Sequence, residues 1–247
     1  MSAKKKIRLA VFDIDGTIFR SSLLIELFNT LVIEGIFPKK ASQEVEREYV
    51  AWLNRKGHYN VYLMKLVRVY HRYQTGCTKK SIDAIVAKVI ARQKDRVYCY
   101  TRDLIRDLRK RGYLLVANSG SPDYIVSHFA KKLGFSAAFG RTPEIKDGIF
   151  TGNFLSHGRR VTMDDHQDKV RILKKFISDK KLEVDLKNSI GVGDSEGDID
   201  MLSFVGQPIA FNPSRILASY ARKKSWRIVV ERKDVIYDVE TRRFIKS

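Results

Sequence analysis

Cysteine is scarce in this chain of 247 residues, which contains only Cys77 and Cys99. Two thiols without metal-type spacing exclude a disulfide framework and a cysteine-based metal centre; they fit packing or surface positions in a reducing cytoplasm. Long apolar runs are missing too, since no stretch approaches the roughly 20 residues needed to span a bilayer. The opening Met1-Ser-Ala-Lys4-Lys5-Lys6 carries the charge of a secretory n-region, but Asp13 cuts short the apolar stretch that follows, which argues against a signal peptide. There are no internal repeats, low-complexity linkers or nucleic-acid-binding motifs. Asp164-Asp165-His166 has no further ligands in register and reads as a polar loop, and His58, His71, His128 and His157 stand alone.

Acidic charge is also in deficit: 47 Lys and Arg against 28 Asp and Glu give a formal charge of +19 and a pI near 9.9. The excess is spread from Lys4 to Lys246 rather than gathered in one stretch, so solvated basic faces explain it better than a nucleic-acid partner. Attraction of an anionic, phosphorylated substrate is compatible with it.

What is present is a hydrophobic fraction of 44%, enough for a sizeable core in one large domain or a core with a smaller lobe. The apolar run Ile7 to Phe12 reads as a fully buried strand. From about Ser21 to Lys110 the pattern is helical almost throughout. Leu23, Leu24, Leu27, Phe28 and Leu31 form one stripe, Val45, Tyr49, Trp52 and Leu53 another, and Ile82, Ile85, Val86, Val89 and Ile90 a third; all are expected to be core faces. Tyr59, Tyr62, Tyr70 and Tyr73 lie between the second and third, dense enough to line a pocket or to seal a small lobe. After Gly112, strands and helices alternate: strands at Tyr113–Ala117, Ser189–Val192, Pro208–Phe211 and Trp226–Val230, and helices from Ser121-Pro122, over about Asp168–Ile177 and over Arg215–Lys224. Glu144 to Gly152 reads as a hairpin turning on Asp147-Gly148. Such alternation implies a parallel sheet, with the helical segment inserted as a lobe of its own.

Two acids, Asp13 and Asp15, follow the first strand and precede Gly16, and a second acidic strand end stands at Gly193-Asp194-Ser195-Glu-Gly-Asp198. Clustered carboxylates are costly to bury unless a hard cation and a phosphate pair them. Ser119 and Lys169 also fall at predicted strand ends or helix starts. A carboxylate nucleophile, a hydroxyl, an ammonium and a second carboxylate converging at one sheet edge form a kit for phosphoryl transfer.

This set resembles the haloacid dehalogenase (HAD) superfamily of phosphatases. Asp13-Ile-Asp15-Gly16-Thr17 is similar to its first motif, Ser119 in Val116-Ala-Asn-Ser-Gly120-Ser-Pro to its second, Lys169 to its third, and Gly193-Asp194-Ser195-Glu-Gly-Asp198 to its fourth. The hairpin Asp147-Gly-Ile-Phe-Thr-Gly152, the tail Val205-Gly-Gln-Pro-Ile-Ala-Phe-Asn212-Pro213 and the segment Ala221 to Trp226 resemble subclass IB, which includes phosphoserine phosphatases. The similarity covers nearly all of Ile7 to Val230. It implies an α/β fold, a Rossmann-like parallel sheet spanning 1–20 and 111–247, with an inserted helical cap over 21–110.

The resemblance further implies a Mg²⁺-dependent phosphomonoesterase acting on a small phosphorylated metabolite. Asp13 would be the nucleophile and Asp15 the general acid and base. Ser119, Gly120 and Lys169 would hold the phosphate. Mg²⁺ would be bound by Asp13, the Asp15 carbonyl and Asp194, with Asp198 behind them. Where a phosphoserine phosphatase carries a glutamate past its first motif, this chain has Arg20-Ser21-Ser22. Other readings are a phosphotransferase, or a phosphatase of nucleic-acid ends or phospholipid head groups; further off stands a catalytically idle basic module that binds RNA.

Overall fold

The computed structural model describes residues 6–156, 159–161 and 168–239; His157 and the Asp164-Asp165-His166 stretch lie outside them. Leu9-Ala-Val-Phe12 forms β1 (Leu9–Phe12), buried at all four positions. Its apolar run is unbroken because both faces are covered: Ala10 and Phe12 join one hydrophobic cluster, Leu9 and Val11 another. The other strands are β2 (Leu114–Pro122), β3 (Ala137–Lys146), β4 (Ile149–Ser156), β5 (Arg159–Val161), β6 (Ile190–Gly193), β7 (Gln207–Phe211), β8 (Arg227–Arg232) and β9 (Val235–Asp238).

They make a nine-stranded sheet in the order β5-β4-β3-β2-β1-β6-β7-β8-β9. The central strands from β3 to β8 run parallel, while β4, β5 and β9 add antiparallel edges. From β1 the chain goes to β2 on one side, yet β6 lies on the other. The strand order therefore reverses between β1 and β6, which opens a crevice at their carboxyl ends. Strand β9, which folds back on the expected strand at Trp226–Val230, and the short β5 had no signal in the sequence, because β9 is exposed throughout and β5 is three residues long.

Five helices separate β1 from β2: α1 (Leu23–Ile33), α2 (Lys40–Leu53), α3 (Tyr59–Gln74), α4 (Lys79–Gln93) and α5 (Cys99–Lys110). The later helices are α6 (Asp123–Lys132), α7 (Lys169–Asp179), α8 (Ile199–Ser203) and α9 (Arg215–Lys223). The stripes expected on α1 and α4 are buried as read, and a single cluster joins them to α6 and to Ala10, Phe12, Leu115 and Ala117 of the sheet. Leu173, Met201, Leu202, Leu217 and Ala221 of α7, α8 and α9 cover the opposite face.

The stripe on α2 departs from expectation. Val45 is buried and Trp52 partly so, but Tyr49 is 40% and Leu53 52% exposed. The reason is position: every residue from Leu53 to Val61 is exposed, so the α2–α3 tip reaches beyond the core. There Trp52 stacks on Tyr62 at 5.7 Å and meets Tyr59 at 5.2 Å, an aromatic knot that covers itself rather than being covered.

The predicted hairpin forms between β3 and β4, with Asp147 and Gly148 both at positive φ (50° and 77°) as a tight type I′ turn needs. It also braces the helical segment. Lys79 N–H donates to Gly148 O (2.7 Å), Gly76 N–H to Phe150 O (2.9 Å) and Phe150 N–H to Cys77 O (3.0 Å). Among the described residues, no helix is long and apolar enough to cross a membrane.

Candidate active site

The crevice between β1 and β6 receives the acids that follow each strand. Asp13 N–H donates to Val192 O (2.9 Å), so the first carboxylate leaves the sheet beside the last turn of β6. Gly16, at φ +79°, lets the chain turn against the second strand end: a Cβ there would stand 2.2 Å from Asp194 Oδ2. Gly193 does the same from the other side, since its Cβ would meet the Asp198 side chain at 2.6 Å. Glycines thus allow Asp13, Asp194 and Asp198 to offer oxygens within 4.8 Å of one another.

Lys169 opens α7, whose N-cap Asp168 accepts from Arg171 N–H. Its ammonium donates to Asp13 Oδ1 and to Asp198 Oδ1, both at 2.7 Å, and all three side chains are nearly or fully buried. Burial opposes the charge on Lys169, but the two carboxylates outweigh it and hold the ammonium well above the ordinary lysine range. Asp198, expected behind the ligands, touches Lys169 directly. Its Oδ2 accepts from the backbone N–H groups of Asp194 (3.1 Å) and Ser195 (3.0 Å), tying the fourth motif into one turn.

Asp15 faces elsewhere. Its Oδ2 accepts the hydroxyls of Ser119 (2.8 Å) and Ser121 (2.7 Å), and its Oδ1 accepts Leu23 N–H (2.5 Å) at the start of α1. Sequence reasoning chose Ser119 and passed over Ser121. Both serines lie in β2, which runs on to Pro122, past the point where Ser121-Pro122 reads as the start of a helix. Ser119 is fully buried and donates its hydrogen bond to Asp15, while Gly120 between the serines is exposed with open space above its Cα. Two further groups lie within the quoted motif stretches, where local pattern assigns them no role. Thr17 Oγ1 lies 3.4 Å from Asp194 Oδ1, and Asn118 Nδ2 donates to Lys169 O (3.0 Å), fixing the first turn of α7.

The electrostatics are those of a site short of positive charge. Burial pushes the Asp13 carboxyl up to about 7, with Asp198 and Asp15 adding to the rise and Lys169 opposing it. Asp194 is raised well above its usual range, again first by burial and then by Asp13 and Asp198. Among the described residues no Lys or Arg forms an ion pair with Asp194. A buried carboxylate beside a second one, with oxygen donors only, fits a small hard divalent cation.

The Asp–Lys–Asp chain thus lies in the crevice at the β1/β6 reversal, the place where open α/β sheets bind their ligands. The haloacid dehalogenase-like hydrolase family matches residues 10–203, and the chain belongs to it. A phosphoserine phosphatase of Methanocaldococcus jannaschii is 26% identical over 233 residues, covering 94% of this chain and 96% of that one. A phosphoserine phosphatase of Mycobacterium tuberculosis is 29% identical over 134 residues, and the match spans only 41% of its length. In fold, the chain is similar to a Bordetella pertussis protein of unknown function (TM-score 0.73, 19% identity, 91% of this chain and 98% of that one). It is also similar to a phosphoserine phosphatase solved as a phospho-aspartyl intermediate analogue (TM-score 0.59, 24% identity, 93% and 96%).

Proposed function

We propose that the chain hydrolyses phosphomonoesters in two displacements through a phosphoryl group carried on Asp13, with Mg²⁺ bound at Asp13, Asp194 and the Asp15 carbonyl. The observation that carries this reading is the pairing of Lys169 with both Asp13 and Asp198 at 2.7 Å. It leaves the second oxygen of Asp13 free of hydrogen bonds among the described residues. When bound, the cation supplies positive charge that offsets repulsion between Asp13 and the phosphate dianion.

The remaining chemistry belongs to the chain itself. Asp13 Oδ attacks phosphorus in line; the bond from phosphorus to the ester oxygen breaks, and that oxygen takes a proton from Asp15. A water then attacks the phosphoryl group, gives its proton back to Asp15, and releases inorganic phosphate with Asp13 restored. Lys169 holds the attacking carboxylate in one rotamer and spreads positive charge over the transferring group. Ser119 and the N–H groups near Gly120 receive phosphoryl oxygens, Ser119 by turning its hydroxyl from Asp15 to the substrate. Ser121, which also donates to Asp15, keeps that carboxylate in place meanwhile.

In this reading residues 1–20 and 111–247 form the catalytic core and 21–110 the cap, working on a small phosphorylated substrate in the cytoplasm. Asn60 of α3 reaches across to Glu196 Oε1 at 2.6 Å, which supports a cap closing over the fourth motif. Arg20, whose guanidinium lies 5.6 Å from the Tyr98 ring, falls in the stretch where a phosphoserine phosphatase carries a glutamate, and its positive charge favours an anionic group over the ammonium of phosphoserine. The test is phosphate release from a panel of phosphorylated metabolites, with Mg²⁺ or with EDTA, on the native chain and on Asp13→Asn. Release that needs the metal and vanishes in Asp13→Asn is expected; release that survives the substitution overturns the nucleophile.

A further inference from the structure

The tip of the α2–α3 hairpin carries apolar side chains that the core does not use. Leu53 is 52% exposed, Val61 56%, Val50 43% and Met64 41%. They lie on both helices of the hairpin: Val50 and Leu53 are one turn apart on α2, and Val61 and Met64 one turn apart on α3. Exposed apolar side chains gathered at one protruding tip point to an interaction surface. The rings of Tyr49 and Tyr59, each part exposed, flank it; amphipathic aromatic side chains of this kind are enriched where water meets lipid.

The charge around the patch is mostly positive, the neighbouring acids being Glu46 and Glu48 on the preceding turn of α2 and Glu196, which Asn60 binds. From Tyr49 to Ile82 there are seven Lys and Arg and no Asp or Glu, in a chain already at +19. Arg55 and Lys56 sit at the tip itself, exposed and without an ion pair among the described residues. Arg55 is held at φ 58°, a left-handed position where glycine would fit with less strain. The helix end that puts it there is closed by Lys56 N–H donating to Ala51 O (2.8 Å). A cation kept at a strained tip beside exposed apolar groups matches an anionic surface with an apolar layer beneath it, because long basic side chains reach headgroups while the patch enters the acyl boundary.

The tip also borders the crevice. Asn60, one residue before Val61, bonds Glu196 two residues after Asp194, and Tyr59 feels the charge of Asp15 and Asp194. We propose that the α2–α3 tip docks the protein on an anionic lipid surface and brings the Asp13 crevice to phosphomonoester headgroups lying in it. The substrate part of this inference rests on the phosphatase reading above; the docking part stands without it.

The test uses the full chain in flotation with vesicles of phosphatidylcholine alone or mixed equally with phosphatidylglycerol, alongside turnover of soluble p-nitrophenyl phosphate. The chain is expected to float with the anionic vesicles and not with the neutral ones. Leu53→Glu with Val61→Glu should weaken that binding by roughly tenfold or more while leaving p-nitrophenyl phosphate turnover unchanged. Lys56→Glu should weaken it too, more at low salt than at high. No flotation, or flotation that the apolar double variant retains, overturns the docking. So does a dimer in solution that the double variant dissociates without any vesicle binding, since the face is then covered by a second copy. If the chain floats and cleaves p-nitrophenyl phosphate but never releases phosphate from phosphatidic acid placed in the vesicles, the lipid-substrate part falls. Flotation without any phosphatase activity leaves docking standing and overturns the phosphatase reading instead.

Discussion

At the scale of single residues, the crevice is decided by which charges are paired. Lys169 stands between two buried carboxylates, and removing it leaves both without a cation. Uncompensated buried charge is far more expensive than a lost surface pair, so Lys169→Met should destabilise the fold by about 3–5 kcal/mol. For a chain of this size that is a fall in Tm on the order of 10 °C, measurable by calorimetry. An unchanged Tm would mean that the triad holds no fold energy. Surface pairs such as Lys175 with Asp179 contribute far less, because water and salt screen them. The motif Asp-x-Asp-Gly was legible because a close approach demanded glycine: any larger residue at position 16 would strike Asp194. Ser121 was passed over because a lone serine next to proline reads as a helix start. Only the extension of β2 to Pro122 puts it on the Asp15 side.

At the scale of elements, the junction between α3 and β4 carries a group that titrates. His71 lies with its ring 4.2 Å from Phe154, and its Nε2 is buried without a hydrogen-bond partner among the described residues. Burial, and then the nearby Arg141, lowers its pKa below the ordinary 6.5. Protons therefore bind the unfolded chain more readily than the native one as pH falls through 6.5. The stability contributed by a neutral His71 is complete above that value and is lost progressively below it. Thermal melts between pH 5 and pH 8 should show the native chain losing Tm on the acid side, and His71→Phe losing less. Parallel curves would remove His71 from the account. The α2 stripe taught a related lesson: helical periodicity identified an apolar face but not what would cover it. Tyr49 and Leu53 follow the same spacing as buried residues elsewhere, and only the reach of the hairpin beyond the core leaves them in water.

At the scale of the whole molecule, two strand ends distant in sequence, with a helix start between them, meet at a single crevice. A cation bound by the native crevice and not by the unfolded chain must raise stability, by about 2.7 kcal/mol at a hundred times its Kd. Added Mg²⁺ should therefore raise the Tm of the native chain, EDTA should reverse the shift, and Asp194→Asn should abolish it. A Tm indifferent to Mg²⁺ would count against a cation at Asp194. The sheet itself needs no metal, because one hydrophobic cluster joins its face to the helices between β1 and β2, and a second seals the other side.

Local pattern alone determined the strand–helix alternation, the inserted helices, the Asp147-Gly148 turn and the acids at the ends of β1 and β6. Each of these follows from short-range chemistry: buried strands must be apolar, amphipathic helices must repeat every three to four residues, and tight turns need glycine. Tertiary structure alone decided that Asp198 pairs with Lys169, that two serines share Asp15, and that the apolar tip of α2 and α3 is bare beside the crevice. Those contacts depend on where the sheet reverses and how far a hairpin reaches. Both are properties of the folded chain that no periodicity within a segment encodes.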